Sequence, residues 1–323
     1  MMPSRVLVTG ATGFVGRAVV ERLVRDGSPV TASVRRKSST RTGVREVQVA
    51  DLGPATDWTA ALEECDVVVH CAARVHVMNE TATDPLAAHR NANVEGTLSL
   101  AKQAAAAGVR RFIFISSIKV NGEGTALGKP YRASDRPAPV DPYGISKFEA
   151  EQALQALSAT SAIELVIIRP PLVYGPGVKA NFLSMVRWVA RGLPLPFGEA
   201  NGNRRSYVAL VNLVDLIVTC LKHPDAVGQV FLVSDGEDLS TGELLRRTAR
   251  ALGVSSRLLP VPLSVLAFSA RAIGRRDLWQ RLGGTLQVDS GPTRERLSWN
   301  PPITVDAGLR AVVEGLRDGA TGR

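Results

Sequence analysis

The chain has 323 residues, 45% hydrophobic, 21% charged and 5% aromatic, with 39 Lys and Arg against 30 Asp and Glu, a formal charge of +9. That composition excludes wholesale disorder, and the length predicts one large or two packed domains. The 29 glycines follow no three-residue period, and no longer repeat is visible, which excludes collagen-like and solenoid chains.

In chain order, RVLVTG (5–10) predicts a strand and Phe14 to Arg25 a helix, with Val15, Val19, Leu23 and Val24 on one face. Further strands are expected at PVTASV (29–34), EVQVAD (46–51), DVVVHCAA (66–73), RFIFISS (111–117) and IELVIIRP (163–170), with helices over 94–107 and 146–157. Continuous apolar strands separated by helices predict an α/β fold: a Rossmann-type, doubly wound parallel sheet covered on both faces. Pro170, Pro171, Pro176, Pro194 and Pro196 then punctuate the chain. A strand at QVFLVSD (229–235) and a helix over 240–252 capped by Ser240 follow. The expected division is a Rossmann domain over 1–175 and a smaller C-terminal lobe over 176–323, with part of 206–236 returning to the first domain.

Cys65, Cys71 and Cys220 are odd in number and far apart, so neither a disulfide framework nor a Cys-x-x-Cys metal site is expected, and a reducing compartment is. MMPSRVLVTG runs into a glycine loop after one short apolar stretch, unlike a signal peptide. LLPVPLSVLAFSARAIG (258–274) is interrupted by Pro260, Pro262 and Arg271 and falls short of a membrane span. A cytoplasmic protein is expected. The clearest basic clusters, Arg35-Arg36-Lys37, Arg110-Arg111, Arg204-Arg205, Arg246-Arg247 and Arg275-Arg276, are scattered and lack interleaved aromatics. They suit a solvated surface and a small anionic ligand better than nucleic acid.

TGATGFVG (9–16) sets Gly10, Gly13 and Gly16 between the first strand and the first helix. Gly10 permits a tight turn, Gly13 lets a pyrophosphate approach the backbone, and Gly16 allows close helix–strand packing. The helix N-terminus supplies amide donors. Dinucleotide binding is expected. An NAD-specific fold ends its second strand with a carboxylate for the ribose diol, whereas Val34 is followed here by Arg35, Arg36 and Lys37. Three cations and no acid suit a 2′-phosphate. NADP(H) is therefore favoured, with NAD(H) as the alternative.

DPYGISKFEAE (141–151) places Tyr143 and Lys147 four residues apart, on one helical face. A phenol is a poor acid–base group at neutral pH, and a neighbouring ammonium stabilises its phenolate. Ser117 closes the fifth strand in ISSIKVNGE (115–123), where a hydroxyl can bond the carbonyl or alcohol undergoing hydride transfer.

These motifs together resemble the extended branch of the short-chain dehydrogenase/reductase superfamily, in particular its nucleotide-sugar 4-epimerases and 4-keto reductases. The resemblance selects Ser117 over Ser116 as the catalytic hydroxyl and completes a Ser117–Tyr143–Lys147 triad. It implies that Thr12, Phe14 and Val15 join the glycine loop at the cofactor. Asp51 and Leu52 would border the adenine, Ala72 and Ala73 pass beside the cofactor, and Asn93 and Pro170 belong to the same site. Asp51 equally suits a loop cap, and Asn93 a cap for a helix beginning at Val94. Family members often carry Val-Tyr-Gly where this chain has Val120-Asn121-Gly122, a departure that bears on substrate orientation. RPPLVYGPG (169–177) and NRRSYVALVNLVDL (203–216) resemble segments of nucleotide-sugar enzymes. By that likeness Arg205 binds a sugar-nucleotide diphosphate and Asn181 lies on the substrate side; a surface cation and a turn residue are the alternatives.

The expected function is oxidoreduction at C4 of a UDP-sugar. The basic segment after Val34 favours a 4-keto reductase consuming NADPH, and AARVHVM, SSIKVNGE and VKANFLSMVRWVARGLPLPFG resemble bacterial reductases that form UDP-N-acetylquinovosamine. A 4-epimerase with retained NAD is the runner-up, and a non-catalytic NADP-binding sensor the alternative of another class. His70, His89 and His223 suit structural roles, with no metal spacing joining them, and Lys119 and His76 are candidates for reaching the sugar that are assigned no role. The resemblance also implies a homodimer.

Overall fold

The computed structural model describes residues 5–36, 42–75, 83–262, 265–266, 268 and 282–321. Lys37, His76, Arg275, Arg276 and the end of the 258–274 stretch lie outside the described residues.

Strands β1 (Val6–Thr9), β2 (Val30–Val34), β3 (Val44–Gln48), β4 (Val67–His70), β5 (Arg111–Ile115), β6 (Glu164–Arg169) and β9 (Val230–Leu232) form one sheet in the order β3-β2-β1-β4-β5-β6-β9. Every pairing in it is parallel. The chain works outward from β1 to β3, then crosses back to place β4 on the other side of β1. The strand order therefore reverses between β1 and β4, where a crevice opens at the strands' carboxyl ends.

All four residues of β1 are buried, and alternation divides them between two cores. Val6 and Val8 join Val67, Val69 and Ile113 beneath α1 (Phe14–Arg25) and α7 (Leu210–Lys222), whose Val19, Leu23, Leu213 and Ile217 complete that layer. Leu7 joins Val68, Phe112 and Phe114 on the opposite face, covered by Leu100 and Ala104 of α4 (Thr97–Ala106) and Leu154 of α5 (Pro142–Ala159). This burial on both faces explains why the strands read as continuous apolar runs.

Two elements differ from the sequence expectation. β3 begins at Val44, because its five residues pair in register with Val30 to Val34. After Val49 the chain turns, with Thr56 Oγ1 donating to the Asp51 carbonyl and accepting the Gly53 N–H at 3.0 Å. The helix expected over 94–107 starts much earlier: Asp84 caps α3 (Pro85–Arg90) by accepting the Ala87 N–H at 3.0 Å. A π-helical segment, Asn91–Gly96, leads directly into α4. Asn93 is therefore inside a continuous helix and is not a cap. The wider π turn brings its side chain inward, and the residue is 1% exposed.

The remaining elements build a smaller sheet, with β8 (Arg205–Ala209) between β7 (Leu172–Tyr174) and β10 (Asp238–Leu239). Helices α6 (Ala180–Ala190), α8 (Thr241–Leu252) and α10 (Val305–Thr321) supply Phe182, Val186, Leu244, Leu309 and Val312 to its core. Ser240 and Glu243 cap α8 reciprocally. The 206–221 segment is split: β8 lies in the small sheet, while α7 packs on the main sheet. Asp215 of α7 fixes that docking by accepting from Arg22 and Trp299, each at 2.9 Å. No described helix is long and apolar enough to cross a membrane.

Candidate active site

The first part of the site is the turn from β1 into α1. Gly10 has φ +65, and a Cβ there would lie 2.8 Å from the Ala72 nitrogen; one on Gly16 would lie 2.3 Å from the Gly10 carbonyl oxygen. The tight turn thus requires both glycines. Gly13 donates its N–H to Gly10 O at 2.8 Å and stands at the N-cap of α1 without a side-chain cap, and no acidic residue occupies the first turn. The helix therefore presents amide donors and the positive end of its dipole to the crevice. Beside it, Thr12, Arg35, Arg36, Gln48, Val49, Ala50 and Asp51 line an open cavity of about 800 Å³. Arg35 approaches Asp51 to 3.4 Å, with both side chains largely exposed. Val15 packs on the core of the main sheet, and Phe14 touches the cores of both sheets. The glycine cradle, donor-rich helix end and adjoining basic cavity fit a dinucleotide.

The walls of the crevice are held from beneath. His70 bridges Thr9 and Thr97 at 2.7 and 2.9 Å, and burial depresses its pKa to about 3, so it is neutral at physiological pH. Ala72 donates its N–H to Thr9 Oγ1 at 3.2 Å. Asn93 accepts the Arg74 N–H at 2.7 Å and donates to the Arg74 carbonyl at 3.0 Å and to Ser146 Oγ at 2.9 Å. It thereby ties the segment holding Ala72 and Ala73 to α5. Leu52 packs against Gly96, where a Cβ would come within 2.9 Å of its Cγ. The buried Pro170 accepts the Ile118 N–H at 3.0 Å, fixing the turn after β5.

That turn carries Ser117, and α5 carries Tyr143 and Lys147. Asp141 caps α5 by accepting the Gly144 N–H at 2.7 Å, and Pro142 opens its first turn. The Ser117 hydroxyl lies beside the Tyr143 phenol, where it favours the phenolate, whereas Ser116 donates to Glu151. Lys147 is 1% exposed and holds its ammonium 4.0 Å from the centre of the Phe114 ring. Burial pushes Tyr143 up to about 12, reinforced by Asp141 and opposed by Ser117; burial also pushes Lys147 down to about 7. In this arrangement desolvation outweighs the phenolate stabilisation expected from the Tyr143–Lys147 spacing alone.

Beneath the triad lies a buried network. Arg169 grips Glu151 through Nε at 2.9 Å and reaches Asn121 Oδ1 at 3.0 Å, while Asn121 donates to the Arg132 carbonyl at 3.0 Å. Asn121, the departure from the Val-Tyr-Gly pattern that the resemblance implies, is thus part of this network. Neither Glu151 nor Arg169 is expected at the site from the sequence. Their position one turn after Lys147 and at the end of an apolar strand was the available signal. The His89 ring meets Tyr143 edge-on, with the ring centres 6.1 Å apart.

The expected substrate residues lie on the smaller sheet and on α6, which packs against it. Arg205 begins β8 and donates to the Gly284 carbonyl at 3.2 Å. Asn181 is exposed in the first turn of α6. Neither belongs to the Ser117–Tyr143 cluster. The 284–288 segment beside β8 joins the loop after Ser117 through Thr125 N–H to the Thr285 carbonyl and Tyr131 N–H to the Gln287 carbonyl, each at 2.9 Å.

Residues 6–234 match the NAD dependent epimerase/dehydratase family. The chain is 49% identical over 315 residues to a Vibrio cholerae protein named UDP-glucose 4-epimerase, covering 98% of this chain and 96% of that one. A Mycolicibacterium smegmatis protein of the same name is 31% identical over 336 residues, covering 97% and 99% respectively. The fold matches the solved UDP-glucuronic acid 4-epimerase of Bacillus cereus in complex with NAD, with TM-score 0.79 and 20% identity over 99% of this chain and 98% of that one. The chain belongs to the NAD dependent epimerase/dehydratase family and, with it, to the short-chain dehydrogenase/reductase class of enzymes.

Proposed function

We propose that the protein moves hydride from and back to C4 of a UDP-linked hexose, as a UDP-sugar 4-epimerase of the cytoplasm. The observation that carries this reading is the buried Lys147 one turn along the helix from Tyr143, with the Ser117 hydroxyl beside the phenol. In the first half-reaction Tyr143, as phenolate, takes the proton of the 4-hydroxyl while Ser117 donates a hydrogen bond to the oxygen that becomes the carbonyl. In the second half Tyr143 returns the proton as hydride reaches the other face of C4. Lys147 holds the cofactor ribose and supplies the positive charge that favours phenolate. When bound, the dinucleotide is the hydride acceptor and donor. The 49% identical relative named UDP-glucose 4-epimerase supports epimerisation over the 4-keto reduction favoured by the sequence analysis.

One feature favours the reductase as a second reading. β2 ends in Val34 with no carboxylate, and Arg35 and Arg36 line the adjoining cavity. That suits NADPH and net reduction. Incubation with UDP-glucose, followed by nuclear magnetic resonance of the sugar, tests the first reading, which expects UDP-galactose and no net change in nicotinamide absorbance. Incubation of a UDP-4-keto-6-deoxy sugar with NADPH tests the second, which expects stoichiometric loss of that absorbance. If neither these nor any other UDP-hexose converts, the C4 assignment is wrong. Homodimerisation, proposed from the resemblance, is measured by sedimentation equilibrium.

Arg35 sets cofactor preference in this reading. Arg35→Asp should weaken NADPH binding by about tenfold or more and affect NADH far less, since a charge-assisted bond to a 2′-phosphate is lost. Equal losses for the two cofactors in calorimetry would remove Arg35 from the phosphate site. Arg205→Ala should similarly weaken UDP binding while leaving NADPH binding in place. Unchanged UDP affinity would make Arg205 a surface cation.

A further inference from the structure

Lys119 stands two residues beyond Ser117 on the 3-10 turn Ile118–Val120, and Asp141 two residues before Tyr143 at the head of α5. The Lys119 ammonium binds the Asp141 carboxylate and also Glu123 Oε1, the latter at 3.0 Å. The other Asp141 oxygen accepts the Gly144 N–H at 2.7 Å, fixing the first turn of the helix that carries Tyr143. The two backbones are also in close contact, since a Cβ on Gly144 would lie 2.9 Å from the Lys119 carbonyl oxygen. One ion pair therefore ties the Ser117 turn to the start of the Tyr143 helix.

We propose that Lys119 is a positioning residue that sets the proton affinity of the Tyr143 phenol by holding and neutralising Asp141. The proposal rests on the reading of Tyr143 as the proton-transfer group. Asp141 caps the helix two residues before Tyr143, where its charge disfavours phenolate, and an ammonium bound to it offsets that charge. The pair is only 27% and 29% exposed, so solvent screens it less than an ordinary surface pair. Among the described residues, the Ser117 hydroxyl and the His89 ring from α3 also face Tyr143, and Lys147 stands one turn along its own helix. Glu123 acts through Lys119, and an Arg90–Glu149 pair crosses from α3 to α5 on the exposed side.

The sign of each change follows. Lys119→Met leaves Asp141 without this cation and raises the phenol pKa. Asp141→Asn keeps a helix cap, removes the negative charge and lowers it. Lys119→Arg keeps the cation and preserves the parental value. The test uses full-length protein labelled with carbon-13 at the tyrosine ring carbon bearing oxygen, saturated with its dinucleotide and titrated by nuclear magnetic resonance. Tyr143→Phe assigns the signal.

The expected result is a rise of roughly one unit in Lys119→Met, a fall of similar size in Asp141→Asn, and a return toward the parent in the double variant. The rising limb of the kcat/KM profile for sugar oxidation should move the same way. An unmoved phenol pKa in either single variant overturns the proposal, and the near-isosteric Asp141→Asn keeps the test open if Lys119→Met does not fold. The readout is on the phenol, so a protein that titrates as stated but converts no UDP-sugar leaves this proposal standing and rejects the functional reading.

Discussion

Tyr143→Phe should reduce turnover by about 100- to 10,000-fold while leaving dinucleotide affinity within a few-fold of the parent, because a positioned acid–base group contributes that much to rate. The change deletes one oxygen from a partly buried ring whose neighbours are the Ser117 hydroxyl and the edge of His89. It leaves Lys147 and the glycine turn untouched. Steady-state kinetics with calorimetry of cofactor binding separates the two effects. Turnover close to the parent's would remove Tyr143 from proton transfer, and a matching loss of cofactor affinity would make its role one of binding.

Glu151→Ala should cost about 3–5 kcal/mol of stability, the usual consequence of breaking one side of a buried, hydrogen-bonded ion pair. Arg169 and Glu151 are 4% and 1% exposed, so the guanidinium left behind would have lost water and partner together. Ser116, which donates to Glu151, would also lose its acceptor, and it directly precedes Ser117. Activity should therefore fall in the fraction that remains folded. Glu151→Gln keeps hydrogen-bonding atoms in place and should lose less. Urea unfolding of the two variants beside the parent measures the difference. A loss below about 1 kcal/mol for Glu151→Ala would show that the pair contributes little beyond its desolvation cost.

The parts of this fold legible in the sequence share a physical cause. Strands buried on both faces must be apolar throughout, so β1, β4, β5 and β6 read directly. The glycine turn was legible because each glycine answers a separate backbone constraint. Tyr143 and Lys147 were legible because helical periodicity alone places them together. The helix from Pro85 was obscured at the segment Asn91–Gly96, whose π geometry breaks the ordinary period. β3 was displaced because Val49 and Ala50 continue the apolar pattern after pairing with β2 gives way to the turn. The Glu151–Arg169–Asn121–Ser116 network joins α5, β6 and the segment after β5, far apart in the chain, and the Lys119–Asp141 bridge joins that segment to α5. No local pattern reports contacts of that kind. Asn121 illustrates the point: in sequence it is a departure bearing on substrate orientation, and in the fold it accepts from Arg169 beneath the site.

The central claim, reversible hydride transfer at C4, is tested most directly with UDP-glucose deuterated at C4. The account predicts UDP-galactose that retains deuterium at C4, formed without net oxidation or reduction of nicotinamide and lost in Tyr143→Phe. Deuterium released to solvent, deuterium found at another carbon, or no conversion of this or any other UDP-hexose would contradict it.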